Sequence, residues 1–463
     1  MSSVTFNPAP PAPRGKGRTA APRAPMGPTP HRWSLDVATI VAWLGLGISV
    51  GLTVVDETRG ELRAPGGVLT FIGSATGMAG TYLALVMVLL ASRIPVIERV
   101  LGQDGLLRWH RKLAPWPISL IAAHALLLTF AYADAAKTGP IHEFRTLLSA
   151  YPNMVTATIG LVIMVAIGIV SVRAIRRRLR REVWWLLHLS MYVALAVAFA
   201  HEIALGPSFV GHPMTRLFWS IAWASTAGVV LCYRVALPVV RTLRHRLRIV
   251  EVRQEAPGVV SVVCKGRNLE RLAVSGGQFF EWRFLVRNMW WQAHPFTLSA
   301  RPQPPYLRLT VKDSGDYSAA VAKLRPGVKV MIEGPYGAFT AHARQKPKVA
   351  LIAGGIGVTA VRSLLEDLPP RSYPEVILRA SSADQLVLAD EVAELARHRK
   401  GRVHELLGPR EGVDLEAVVD LVPDLAQRDV YVCGSEGFVA EMTSVLTLLG
   451  VPRAAIHYEA YSL

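Results

Sequence analysis

A chain of 463 residues is long enough for about three domains at ~150 residues each. Its composition is 51% hydrophobic, too apolar for a wholly soluble protein, and its formal net charge is +17. That charge gathers at the ends of apolar runs and builds no basic, aromatic-interleaved face, which excludes a nucleic-acid binder. The three cysteines, Cys232, Cys264 and Cys433, form no CxxC spacing, which excludes an iron–sulfur cluster, a structural zinc and a disulfide framework.

Residues 1–33 are rich in Pro, Ala and Arg, with no acidic residue before Asp36. The prolines preclude an amphipathic transit helix, and the composition predicts a disordered basic tail on the cytoplasmic side. Six apolar spans follow, at about 35–55, 68–91, 113–132, 155–172, 183–205 and 217–239. Each is near the ~20 residues that cross a bilayer, so residues 34–242 are predicted to form a six-helix transmembrane bundle. The connections alternate in charge. Arg93–Lys112, Arg173–Arg181 and the stretch from Arg241 to Arg248 are basic, whereas Asp56–Arg63 and Asp134–Arg145 are mixed. The basic loops and both termini are therefore expected on the cytoplasmic side of a multi-pass cell-membrane protein.

Four histidines lie in or beside these spans. His110 and His124 are 14 positions apart, and His188 and His201 are 13 apart. On helices each separation is about 20 Å, so each helix carries one imidazole near each side of the hydrocarbon core. Two such helices side by side offer two facing His–His pairs, the arrangement that a pair of bis-histidine haems requires. A single membrane histidine can simply hydrogen-bond a neighbour, but two matched pairs outweigh that reading. At about 100° per residue, 14 positions return to within about 40° of one face, whereas 13 miss by about 140°. Either the 188–201 helix is kinked or overwound, or a side chain reaches round, and Pro115 and Pro117 are expected to bend the 110–124 segment.

Beyond residue 243 the pattern changes to short strands with Gly/Pro turns: LRIVEV, GVVSVVCKG, GQFFEWRFL, YLRLTVKD and VKVMIEGPYG. These predict a small antiparallel β-barrel over 243–343. From 344 to 463, VALIAGG, EVILRAS and DVYVCGS alternate with amphipathic helices, predicting an α/β doubly wound domain with its ligand at the strand C-termini. Gly354, Gly355 and Gly357, followed by Thr359, stand between a strand and a helix, where backbone N–H groups can approach a pyrophosphate. Cys433 and Gly434 end a later strand bordering the same crevice. The motif HPFTLS (His294 to Ser299) is an exposed polar and aromatic cluster on residue chemistry alone. Lys312, Gly315 and Ser318 suit a phosphate or a surface hairpin equally.

Taken in order, HPFTLS, VKDSGDYS, GPYG, GGIGVT and VCGS behind a six-span, four-histidine domain resemble the ferric reductase/NADPH oxidase superfamily, in its bacterial six-span form, over residues 35–463. The resemblance implies a ferredoxin-reductase-type FAD/NAD(P)H module and two b haems held by His110/His188 and His124/His201. It implies FAD contacts from His294, Pro295, Phe296, Thr297, Leu298 and Ser299, and a pyrophosphate held by Lys312, Gly315 and Ser318. Gly354, Gly355, Gly357, Thr359, Cys433 and Gly434 would border the nicotinamide nucleotide. The family ends in an aromatic residue over the flavin, and Tyr461 is the residue placed to take that role. His294, Thr297, Cys433 and Tyr461 would surround hydride transfer.

The implied reaction carries electrons from cytoplasmic NAD(P)H through FAD and two haems to an outer-side acceptor. That acceptor is an Fe(III) chelate or O₂. Superoxide-producing animal relatives carry a further histidine where Leu128 stands, which favours ferric reduction. Arg379, past the second strand of the last domain, suits the 2′-phosphate of NADPH, with NADH open. A protein acceptor, and a non-enzymatic nucleotide-regulated receptor or transporter, are the rival readings.

Overall fold

The computed structural model describes residues 32–54, 59–179, 181–205, 209, 212–408, 418 and 420–461. Positions 1–31 of the expected basic tail lie outside the described residues. The chain divides into a helical unit, His31–Arg234, and a second unit that includes Val235–Leu463.

The helical unit runs α1 (Arg32–Val54), α2 (Arg59–Arg63), α3 (Gly67–Ala91), α4 (Pro95–Leu113), α5 (Pro115–Ala136), α6 (Pro140–Ala150), α7 (Met154–Val170), α8 (Arg173–Arg176), α9 (Arg181–Leu205) and α10 (Pro213–Leu231). Proline opens α4, α5, α6 and α10, where its missing N–H would have no intrahelical partner anyway. Pro115 thus starts a helix instead of kinking one, so His110 ends α4 and His124 lies on α5. The α9 helix is a single run of 25 residues that carries both His188 and His201.

Among the described residues, five stretches are long and apolar enough to cross a membrane: Asp36–Val54, Gly67–Ala91, Gly105–Ala136, Glu182–Ala204 and Pro213–His245. The span expected at 155–172 is α7, only 17 residues long and bent by 116° from α6. Asn153, in the left-handed region at φ 62°, makes that break.

Small residues decide which helices touch. Along α3, a Cβ on Gly73 would come within 2.8 Å of Leu128, on Gly77 within 2.5 Å of His124, and on Gly80 within 2.8 Å of Ile121. The three glycines form a stripe that lets α5 lie against α3 at backbone distance. On the other side Gly160 of α7 meets the Ala194 carbonyl of α9, 2.8 Å from where its Cβ would be. The close pairs are α3 with α5 and α7 with α9, and α5 with α9 is not among them.

The second unit starts with α11 (Leu237–His245) and then forms two antiparallel three-stranded sheets. One has the order β1 (Arg248–Ala256), β2 (Val259–Lys265), β5 (Tyr306–Lys312). The other has the order β4 (His294–Thr297), β3 (Phe279–Phe284), β6 (Val330–Tyr336). HPFT is thus a strand of its own, paired to β3. Val260, Val262, Leu309 and Val311 of the first sheet meet Phe280, Trp282, Val330 and Ile332 of the second in one core. Single bridges, Arg248 with Lys329 and Leu298 with Leu309, stitch the sheets together. The short helix α12 (Asp316–Val321) follows β5.

A five-stranded parallel sheet completes the unit, in the order β11 (Ile456–Tyr461), β10 (Asp429–Ser435), β7 (Val349–Gly354), β8 (Glu375–Ala380), β9 (Arg402–Leu407). The chain starts at the central β7 and winds outward in both directions, the doubly wound arrangement expected from the strand–helix alternation. Helices α13 (Val358–Asp367), α14 (Ala389–His398) and α15 (Glu436–Leu448) cover it.

Charge locks the antiparallel sheets to the parallel one. Arg308 of β5 is fully buried and donates two bonds, 2.8 and 2.7 Å, to Glu391 of α14. Arg362 of α13, also fully buried, donates from Nε to the same carboxylate at 2.7 Å and pairs with Glu366 at 2.8 Å. Burial by itself would raise the Glu391 carboxyl, but the bonds and charge of Arg308, with the charge of Arg362, hold it below the usual carboxylate range. A carboxylate so depressed stabilises the fold fully above its unfolded pKa and loses that contribution as pH falls through the folded one. Arg308→Ala leaves Arg362 and Glu391 with an incomplete buried network, so it should cost about 3 kcal/mol at pH 7. The urea midpoint should drop accordingly, and the drop should shrink as the titration is repeated at successively lower pH.

Candidate functional site

The two units each bring predicted residues together. In the helical unit His110 faces His188 with ring centroids 6.2 Å apart, and His124 faces His201 at 6.3 Å. Two metal–imidazole bonds of about 2 Å plus about 1 Å from each nitrogen to its ring centre give about 6 Å across one iron, so both pairs fit axial ligation. The rings are also oriented. His124 Nδ1–H donates to the Gly73 carbonyl at 2.8 Å, His110 Nδ1–H to that of Met87 at 3.3 Å, and His201 Nδ1–H to that of Ala198. A carbonyl can only accept, so the proton sits on Nδ1 and the lone pair on Nε2 is left for a metal. His188 differs: among the described residues its buried Nδ1 has no hydrogen-bond partner.

The α9 helix carries both of its imidazoles on one continuous run of 25 residues. The opposing rings, His110 and His124, sit on α4 and α5, which meet at Ala114. Leu128, one turn past His124, packs on Gly73 of α3. Half-buried Glu202, next to His201, accepts a 2.8 Å bond from Thr81, and neither residue stands out in the sequence.

In the soluble unit four predicted residues converge. Tyr461 Oη lies 3.0 Å from Thr297 Oγ1 of β4 and 3.4 Å from Thr359 Oγ1 of α13. The Cys433 thiol joins them at the end of β10. Register places Glu459 beside Cys433, and its Oε2 lies 3.3 Å from where a Gly337 Cβ would be. Glu459 is absent from the expected set, although strand alternation in IHYEAY points to it. Burial, then the charge of Glu459, pushes the Cys433 thiol up. Burial, then Cys433 and Glu459, likewise raises the Tyr461 phenol. Both groups therefore keep their protons at neutral pH.

The glycine turn is built for close approach. Gly355 adopts φ +55°, and a Cβ on Gly357 would stand 2.2 Å from the Cys433 carbonyl. Gly354 and Gly434 both pack under the Phe438 ring, each with a virtual Cβ 2.7 Å from it. Thr359 closes the turn by donating to the Ile356 carbonyl at 2.9 Å. Arg379 lines a recess with Gly355, Val358, Gln385 and Leu386. One of its guanidinium nitrogens donates to the carbonyls of Ala380, Leu406 and Gly408.

Along β4 the predicted flavin residues divide. His294 stacks on Tyr317 of α12 at 3.6 Å between centroids and lies nearly parallel to Phe296 at 6.5 Å, while Pro295 is exposed. Leu298 and Ser299 turn inward, Leu298 into the core and Ser299 to accept 2.7 Å and 3.1 Å bonds from Thr310 and Arg308. Lys312 is exposed at the end of β5, and Gly315 precedes α12 at φ +156°. Ser318 closes that loop on itself, accepting from Ser314 N–H and donating to the Gly315 carbonyl, both at 2.8 Å.

Two families match this chain. "Ferric reductase like transmembrane component" covers residues 76–199, which include His110, His124 and His188, and "FAD-binding domain" covers 246–340. These matches, with the relatives below, support a ferric reductase/NADPH oxidase-type fusion of a membrane component with a ferredoxin-reductase-like module. A probable ferric reductase transmembrane component of Candida albicans is 24% identical over 66% of this chain and 44% of its own length. A flavohemoprotein of Bacillus subtilis (strain 168) is 29% identical over 36% of this chain and 46% of its own. The chain thus spans less than half the length of either relative. The FAD/NAD binding domain of a nitric oxide dioxygenase from Vibrio cholerae aligns with 47% of this chain and 99% of its own, at 23% identity and TM-score 0.40.

Gly77→Val tests the seam that holds the His124 ring. The new side chain must displace the His124 ring; if each imidazole pair holds a b haem, purified protein should carry about half the wild-type haem per chain by pyridine haemochrome.

Proposed function

We propose that this protein is a transmembrane NAD(P)H-dependent oxidoreductase that passes electrons from the cytoplasmic side to Fe(III) outside. The observation that carries the reading is the pair of imidazole pairs, 6.2 and 6.3 Å apart, three of whose four rings are locked with Nε2 free. When bound, FAD supplies the conversion of a two-electron hydride donor into single electrons, and a b haem at each pair supplies one-electron carriage. On this reading α7 with its bent neighbour α6 forms the sixth span, and the basic loops keep His110 and His188 on the cytoplasmic side.

The chain's own residues do the rest. Thr297, Thr359, Cys433 and Tyr461 shape a crevice whose hydroxyls and thiol hold their protons and orient a nicotinamide against a flavin. His294, Phe296 and Tyr317 wall the flavin side, and the Gly354–Gly357 turn admits the nucleotide's pyrophosphate. Arg379 borders the position of a 2′-phosphate, which favours NADPH over NADH. Leu128 packs on Gly73 where superoxide-producing relatives place a histidine, which favours an iron chelate over O₂ as acceptor.

The decisive measurement is an anaerobic titration of the purified full chain with NADPH and then NADH. The α-band of a b-type haem should appear on addition of NADPH and vanish on addition of ferric citrate. A flavin spectrum with no haem band would overturn the proposal, and would leave a nucleotide-binding receptor or transporter standing. Superoxide formed at a rate indifferent to ferric citrate would transfer the activity to O₂. Arg379→Ala should lower the NADPH/NADH ratio of kcat/KM about tenfold, the worth of one lost charge-assisted bond of about 1.4 kcal/mol.

A further inference from the structure

Three of the four imidazoles are fixed by a bond from Nδ1 to a backbone carbonyl, and His188 is not. What fixes His188 instead is an aromatic plane. Trp184, one helical turn earlier on α9, stacks on the His188 ring at 5.0 Å between centroids and 23° between planes. The indole is itself held twice. Its Nε1–H donates to Ser171 Oγ at 3.3 Å, and the Arg176 guanidinium lies over its ring at 4.1 Å. Ser171 caps α7 and Arg176 belongs to α8, so the basic turn between α7 and α9 clamps the indole, and the indole sets the imidazole.

We infer that Trp184 is the positioning residue for the axial ligand His188, replacing the hydrogen bond that the other three ligands receive. The inference rests on the di-haem reading above. Two consequences follow from the chemistry of ligand support. A ring stacked on a clamped indole has a fixed plane, so the 66° angle to His110 is set by Trp184. An imidazole whose Nδ1–H has no acceptor is also a less basic donor, which stabilises Fe(III) less than a bonded one would. Removing the indole frees the ring to turn and admits water, and both changes favour the oxidised state.

The experiment is low-temperature EPR with a redox titration on the full chain in lipid nanodiscs, comparing wild type, Trp184→Leu and Trp184→Phe. In Trp184→Leu one of the two low-spin signals should shift its largest g value and broaden, and that centre's midpoint should fall, while the second signal stays put. Trp184→Phe keeps a stacking plane and should restore both readouts. Loss of one haem in the leucine variant alone also supports the role. Two unchanged signals in Trp184→Leu, or a phenylalanine variant as disturbed as the leucine one, would overturn it. Should the leucine variant fail to accumulate, Ser171→Ala releases the indole N–H and must broaden the same signal. Wild-type protein without any low-spin haem signal would defeat the di-haem reading itself, a different result from intact signals indifferent to residue 184.

Discussion

The arrangement of the helical unit depends on a bond between an imidazole and a backbone carbonyl of a neighbouring helix or turn. In an apolar interior a donor left without a partner costs more than the net worth of one made, so each such bond dictates where its ring points. His124 can reach the Gly73 carbonyl because glycine leaves that stretch of α3 uncovered, and Gly77 makes room for the ring itself. The glycine stripe, the helix pairing and the facing rings are one constraint seen at three scales. Change the stripe and the imidazole has no acceptor, no space and no partner.

The soluble unit applies the opposite method. Its clustered Thr297 and Tyr461 hydroxyls are held by strands from separate sheets, and the buried Arg308–Glu391–Arg362 network ties those sheets together. Thr297 and Tyr461 sit 3.0 Å apart although 164 positions separate them in sequence. Arg308 helps fix that meeting, because it also bonds the Ser299 carbonyl just past Thr297 and so ties this stretch to α14. A buried ion network is poor at adding stability and good at excluding alternative arrangements, because every misalignment strands a charge.

Much of this is legible in the sequence, and the misses have physical causes. The periodicity of apolar residues carries the order of helices, antiparallel strands and parallel strands, since burial has a period that sequence records. The four histidines are legible as two pairs because their spacing matches a bilayer. The span at 155–172 reads as a simple crossing, but Asn153 breaks the helix and leaves α7 at 17 residues. Pro115 reads as a bend within one helix, and it opens α5 after a one-residue break at Ala114, inside a stretch, Gly105–Ala136, that is still long and apolar enough to be one crossing. Leu298 and Ser299 group with the flavin residues by motif, whereas the structure turns both inward. Trp184 is invisible in sequence, because an unbonded Nδ1 four residues away is a fact of three dimensions.

The two imidazole pairs are supported by different materials. Around His124 the contact is glycine backbone against helix, a van der Waals seam with no charge in it. Around His188 it is an indole under a guanidinium, close to a run of arginines. The first kind of contact answers to lateral pressure and acyl-chain thickness, the second to dissolved salt and anionic headgroups. Each end of the bundle is therefore tuned by the medium next to it. With haem at both pairs, bilayer composition can move one redox centre while leaving the other where it was.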